Sequence, residues 1–241
     1  QEVAEMQKYN ADDVDQCYDL LSRLIKRTRK DEVRLIDMTI RMLVEPQFDV
    51  DMDLLTTTLA DESARKQAML IECADVMGIR LTDMSDEEAA QECLTVLSSA
   101  NKFAMFLEAL RIDVPTKISP TTGKEIPALA KTDEEFLSLQ GHQNALVATA
   151  AAARLDAKST ILQTRIQAFM DAANAHPDKK VPIPLKYYGA DTTGRWSGWG
   201  YNPQNLPRVN PYDPKPSDAL RSSLVAPSGC KIVVADLSGI E

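Results

Sequence analysis

The 241-residue sequence predicts an α+β chain: about 175 mainly helical residues followed by the first β-strands of an antiparallel sheet. Three observations predict it. Apolar residues recur at helical spacing as far as about Ala173, and two Ser/Thr-x-x-Glu sequences mark helix starts within that region. From His176-Pro177 onward, β-branched and aromatic runs alternate with Pro, Gly and Asn, and the helical period is lost.

Taken in order, residues 4 to about 45 read as helix, with Val14, Cys17, Leu20, Leu21 and Leu24 on its apolar face. Asp51 is placed to cap a second long helix through Met52, Leu55, Leu59 and Met69 to about Met77. Ser85-Asp-Glu-Glu88 is a capping box that opens a third helix, and Asn101 to Leu110 makes a short fourth. Ser119-Pro-Thr-Thr-Gly-Lys124 predicts a turn or small hairpin. Thr132-Asp-Glu-Glu135 is a second capping box, and an Ala-rich helix is expected from about Gln143 to Ala173. So few strands follow that a sheet built from them cannot stand alone, which raises the expectation of an incomplete domain.

Composition excludes several classes. No apolar stretch approaches the roughly 20 residues that cross a bilayer, and the N-terminus lacks a basic stretch followed by an apolar one. Cys17, Cys73, Cys93 and Cys230 form no CxxC pair, so neither a zinc site nor a disulfide framework is indicated, and a reducing cytosol fits. The net charge of −9 opposes nucleic-acid binding until its distribution is read. Residues 1 to 140 hold 16 Lys/Arg against 28 Asp/Glu, whereas residues 141 to 241 hold 11 against 8. A phosphate-binding surface belongs in the last hundred residues.

Three constellations there carry chemistry. In ARLDAKSTILQTR, Arg154, Lys158 and Arg165 are spaced by four and seven, on one helix face that suits successive phosphates and equally suits solvent. In DTTGRWSGWGYNPQNLPR, glycines surround Arg195, and Asn202, Gln204, Asn205 and Arg208 follow on irregular backbone. Amides and arginines reach the minor-groove acceptors that every base pair presents, though the same composition also builds Asx turns. Finally, Ile232-Val-Val-Ala-Asp236 reads as a buried strand releasing a carboxylate at its end, a mount for a hard cation or simply a turn.

GADTTGRWSGWGYNPQNLPR followed by LRSSLVAPSGCKIVVADLSGIE resembles the A-family, polymerase I-like DNA polymerases, particularly those of bacteriophages. The first segment is similar to that family's TxTGRxS…xxQNLPR region and the second to its motif A, DxSxIE. ARLDAKST resembles the family's thumb helix, and Tyr9-Asn-Ala-Asp-Asp13 resembles the YxxxD motif of the 3′–5′ exonuclease that precedes the polymerase. The resemblance implies an exonuclease remnant over residues 1–30, a helical thumb over 31–180 and the first part of a palm over 181–241.

It further implies that Asp236 is one of two palm aspartates holding two Mg2+ ions, with the Leu237 carbonyl supporting one of them. Ser238, Gly239 and Glu241 would face the incoming deoxynucleoside triphosphate, Glu241 as the gate that opposes a ribose 2′-hydroxyl. Arg154 and Lys158 would hold the backbone of primer-template DNA; Arg195, Asn202, Gln204, Asn205 and Arg208 would line the duplex. Tyr9 and Asp13 would be vestigial. Because the sequence ends inside motif A, without fingers or the second aspartate, it is expected to be inactive alone and to need a C-terminal polymerase fragment, in the cytoplasm of a phage-infected bacterium. A DNA-binding scaffold without catalysis and a single-subunit RNA polymerase fragment are the alternatives, and Glu241 opposes the second.

Overall fold

The structure, a computed structural model, describes residues 2–80, 83–206, 209 and 215–235. It is mainly helical with short antiparallel strands. In chain order the elements are α1 (Glu2–Leu24), α2 (Lys30–Val44), β1 (Asp49–Val50), α3 (Met52–Val76), α4 (Asp86–Ser98), α5 (Ala100–Ala109), β2 (Thr116–Ile118), β3 (Glu125–Pro127), α6 (Glu134–Ser138), α7 (Ala145–Lys158), α8 (Ile161–Ala175), β4 (Leu185–Ala190), β5 (Arg195–Gly198), α9 (Ala219–Ser222) and β6 (Leu224–Val225). None of the described helices is long and apolar enough to cross a membrane.

The chain divides into two compact units. One comprises Met52–Gln167 and a short later stretch ending at Ala219; the other comprises Gln1–Asp51, Ala168–Val209 and the residues from Leu220. These units do not follow the linear boundaries at 30/31 and 180/181 that the resemblance implied. The reason is visible in the backbone: Phe48 bridges Val181, the Ile183 N–H donates to the Met42 carbonyl, and β1 pairs with β6 through Asp49↔Val225 and Val50↔Leu224. Residues far apart in sequence are hydrogen-bonded into one unit.

In the helical unit, α3, α4, α5 and α7 enclose the core. Small residues let the helices approach: Ala74 on α3, Ala89 and Ala90 on α4, and Ala150 and Ala151 on α7 are all buried. Phe103 and Phe136 fill the remaining space edge to face, with ring centroids 6.1 Å apart, within the favoured range for such pairs. The Ser85 capping box forms as expected: the Glu88 N–H donates to the Ser85 hydroxyl at 3.2 Å and the Ser85 N–H to the Glu88 carboxylate at 2.9 Å. The expected turn around Ser119 closes the β2–β3 hairpin, in the register Thr116↔Pro127, Lys117↔Ile126, Ile118↔Glu125.

Four expectations are corrected. The helix over 4–45 is broken at residues 25–29 into α1 and α2. Arg23, Lys26, Arg27, Arg29 and Lys30 crowd like charges there, the Thr28 hydroxyl bonds back to the Leu24 carbonyl at 3.0 Å, and Asp31 and Glu32 favour a new N-terminus. The Ala-rich helix is likewise two helices, because Lys66 Nζ donates to the Ser159 carbonyl at 2.5 Å and to Gln163 Oε1 at 3.0 Å, drawing that carbonyl out of the helical ladder. The Thr132 capping box does not form. Asp133 precedes α6 instead, and its carboxylate accepts from Lys117 Nζ at 2.7 Å and from the Ala130 N–H at 2.8 Å. Finally, the run at Ile232–Val234 is neither a strand nor buried: Val233 is 88% exposed and Val234 85%. Among the described residues no strand pairs with it.

Candidate nucleic-acid interface

The glycine-rich motif folds as a tight hairpin followed by a 3-10 turn. Strands β4 and β5 pair antiparallel through Leu185↔Gly198, Lys186↔Ser197 and Ala190↔Arg195, with an irregularity between Lys186 and Ala190. A Cβ at Gly189 would lie 2.6 Å from Ser197 Cβ, so the two strands can approach this closely only without a side chain there. At the turn, the Thr193 and Gly194 N–H groups both donate to the Ala190 carbonyl, and Gly194 has a φ of +67°. A side chain at Gly194 would also meet the Tyr188 ring at 2.7 Å. The spacing of this motif is thus set by close backbone approach.

Trp196 anchors the hairpin. Its indole N–H donates to the buried Thr39 hydroxyl on α2 at 2.9 Å, and its ring meets Tyr187 edge to face at 5.9 Å. Gln204, on the 3-10 turn Pro203–Asn205, closes the structure from the other side: its Oε1 accepts the Gly198 N–H at 2.8 Å and its Nε2 donates to the Trp196 carbonyl at 3.1 Å. The sequence marked Gln204 for DNA, but its amide already ties the turn to β5. Asn202 adopts the left-handed conformation, with φ +46°, that admits the chain into this turn; among the described residues neither its buried Oδ1 nor the buried Tyr201 hydroxyl has a hydrogen-bond partner. Burial pushes the Tyr201 phenol above its ordinary pKa. Arg195, at the start of β5, and Asn205 are exposed, and each has an interaction within the chain. Arg208 lies outside the described residues.

Arg154 and Lys158 part company. Arg154 is 1% exposed, so it is not a surface cation available to a phosphate backbone. Its Nε donates to the Leu129 carbonyl at 3.3 Å and its Nη1 to the carbonyls of Leu97 and Ser99. Its guanidinium carbon stands 4.9 Å from the Phe103 ring centroid, a cation–π contact in a dry setting. Burial lowers its pKa. In the sequence, Val147, Ala150, Ala151 and Arg154 share one helix face by i, i+3, i+4, i+7 spacing, and the structure turns that face to the core. Lys158 is exposed at the end of α7, and its pKa is lowered by partial burial and by the nearby Arg154 charge. Arg165 lies beyond the break, on α8, and has an interaction within the chain, so the expected row of three cations along one helix does not exist.

Asp236, Leu237, Ser238, Gly239 and Glu241 lie outside the described residues. Among the described residues there is no group of three or more His, Cys, Asp or Glu placed to hold a metal ion. Tyr9 and Asp13 are both exposed on α1, one turn apart. A residue that sequence reasoning missed is Lys131, which lines a cavity of about 240 Å3 with Arg154 and Lys158. It lies in a loop with no periodic pattern to mark it.

No family model matches the chain, and no curated protein matches it. Among solved structures, it is similar to the POL domain of Pol1 from M. smegmatis in complex with DNA primer-template and dNTP, with 18% sequence identity and a TM-score of 0.49 over 76% of this chain. The match covers 27% of that chain, so the present sequence spans about a quarter of its length.

Proposed function

We infer that the chain is the thumb and first palm portion of a bacteriophage-type A-family DNA polymerase, which holds primer-template DNA and supplies one catalytic aspartate. The observation that carries this reading is the paired occurrence of TTGRWSGWGYNPQNLPR and VADLSGIE at the family's spacing. The hairpin geometry supports it. The first motif's glycines, Trp196 and Gln204 lock the backbone, so Arg195 and Asn205 are carried at the surface on a rigid mount. In this reading Lys158 contacts the DNA backbone from the thumb, and Arg154 is the buried support of that surface.

Asp236 and the Leu237 carbonyl would hold Mg2+, with oxygen ligands suited to a hard cation and the second carboxylate arriving on a partner fragment. Bound Mg2+ supplies charge neutralisation for phosphoryl transfer. Glu241 selects deoxynucleotides by occupying the space a 2′-hydroxyl needs.

The test mixes the chain with candidate C-terminal polymerase fragments and measures Mg2+-dependent primer extension. Extension by the mixture, abolished by Asp236→Ala and faster with deoxynucleotides than ribonucleotides, is expected. Duplex binding that no fragment converts to synthesis favours a scaffold. Template-directed incorporation by the chain alone, unchanged in Asp236→Ala, refutes the reading.

A further inference from the structure

The cavity beside the end of α7 is lined by Lys131, Arg154 and Lys158 together with Leu129, Ser159 and Ile161, and none of the described carboxylates lines it. Several other cations of this unit do meet carboxylates. Arg65 meets Glu62 and Asp156, Arg80 meets Asp75 and Asp86, Lys102 meets Glu92, and Lys117 meets Asp133. Among the described residues neither Lys131 nor Lys158 has an ion-pair partner, and Arg154 is satisfied by carbonyl groups and aromatic rings that cancel none of its charge. Three like charges therefore share one concave wall of an acidic protein, an arrangement that repels itself until an anion arrives.

The loop is built to keep Lys131 there. Arg154 Nε holds the Leu129 carbonyl, and the Ala130 N–H is held by Asp133, which Lys117 grips in turn. Residues on both sides of the Lys131 approach are thus fixed by charge-assisted hydrogen bonds. Lys158 sits at the end of α7, where the break at Ser159 frees it from a continuing helix.

We propose that Lys131 is a second phosphate-binding cation, which closes with Lys158 on a single phosphate group over this cavity while Arg154 supplies fixed positive charge from behind. The proposal rests on the nucleic-acid reading above for the source of the phosphate, a backbone phosphodiester rather than free phosphate. A Lys pair provides point charges and rotatable donors, which suits a phosphate without fixing base sequence.

The test measures affinity of the full chain for a labelled primer-template duplex as salt rises, in wild type, Lys131→Gln, Lys158→Gln and Lys124→Gln. Lys124 is an exposed lysine on the β2–β3 turn, away from the cavity lining. Because the two lysines share one phosphate, each cavity variant is expected to reduce the salt slope by up to about one, so that it loses up to about fourfold less affinity than wild type between about 50 and 200 mM salt, whereas Lys124→Gln keeps the wild-type slope. A wild-type slope in Lys131→Gln overturns the proposal. If the wild-type chain binds no duplex, the nucleic-acid reading falls, and titration with inorganic phosphate followed by amide chemical shifts decides the cavity separately. Shifts confined to residues 129–131 and 158–161, lost in Lys131→Gln, support an anion site for free phosphate; unshifted amides overturn it.

Discussion

Arg154 illustrates how far one side chain's role depends on its surroundings. Removing it takes away the donor to the Leu97 and Leu129 carbonyls and opens space against Phe103, while the Ser99 carbonyl keeps the Phe103 N–H at 3.1 Å. Arg154→Met is expected to lower the unfolding free energy by about 3 kcal/mol, read from urea denaturation, because unpaired buried carbonyls and an imperfectly filled core add. A cost near zero would mean that those carbonyls find other donors. At Gly189 the opposite problem arises, since there is no room to add anything. Gly189→Ala forces a methyl to within 2.6 Å of Ser197 Cβ and 2.9 Å of Lys186 Cβ, so a loss of about 1–3 kcal/mol is expected in the same measurement. Duplex affinity falls with it if the hairpin carries Arg195 to DNA.

At the scale of elements, some helix boundaries are set by short-range chemistry and others by partners distant in sequence. The Ser85 box lies within four residues and is readable as a string. The α7–α8 break is not, because the lysine that causes it lies 93 residues upstream of Ser159. The approach to α6 shows the same dependence. Lys117, on the β2 strand, and then the Ala130 N–H hold the Asp133 carboxyl below the usual aspartate range. A depressed carboxylate contributes stability in full above its unfolded pKa of about 3.9, and that contribution is lost as the pH falls through the folded value. Asp133→Asn should therefore be less stable than wild type at pH 7, with the difference shrinking below about pH 4; denaturation midpoints at pH 7 and pH 3 check this. An equal difference at both values would show that the Lys117 pair contributes nothing.

The whole molecule divides according to where apolar surface is enclosed. The continuous core from Leu70 to Ala153 lies entirely within Met52–Gln167. A chain of residues 52–167 should therefore fold by itself, with a helical circular-dichroism spectrum and a single cooperative thermal transition. A non-cooperative melt would show that the core needs residues outside that range. The other unit is assembled from segments separated by more than a hundred residues, joined by Trp196 to Thr39 and by β1 to β6, and no local pattern predicts such pairings.

The helix-to-strand change near His176, the Ser85 cap and the turn at Ser119–Lys124 were legible in the string of residues, because each depends on chemistry within a few neighbours. Packing between distant segments placed Arg154 inside and Lys158 and Lys131 at the surface, and made Gln204 a clamp on β5. Helical periodicity assigns residues to faces, but which face meets the core is settled by the elements that pack against it.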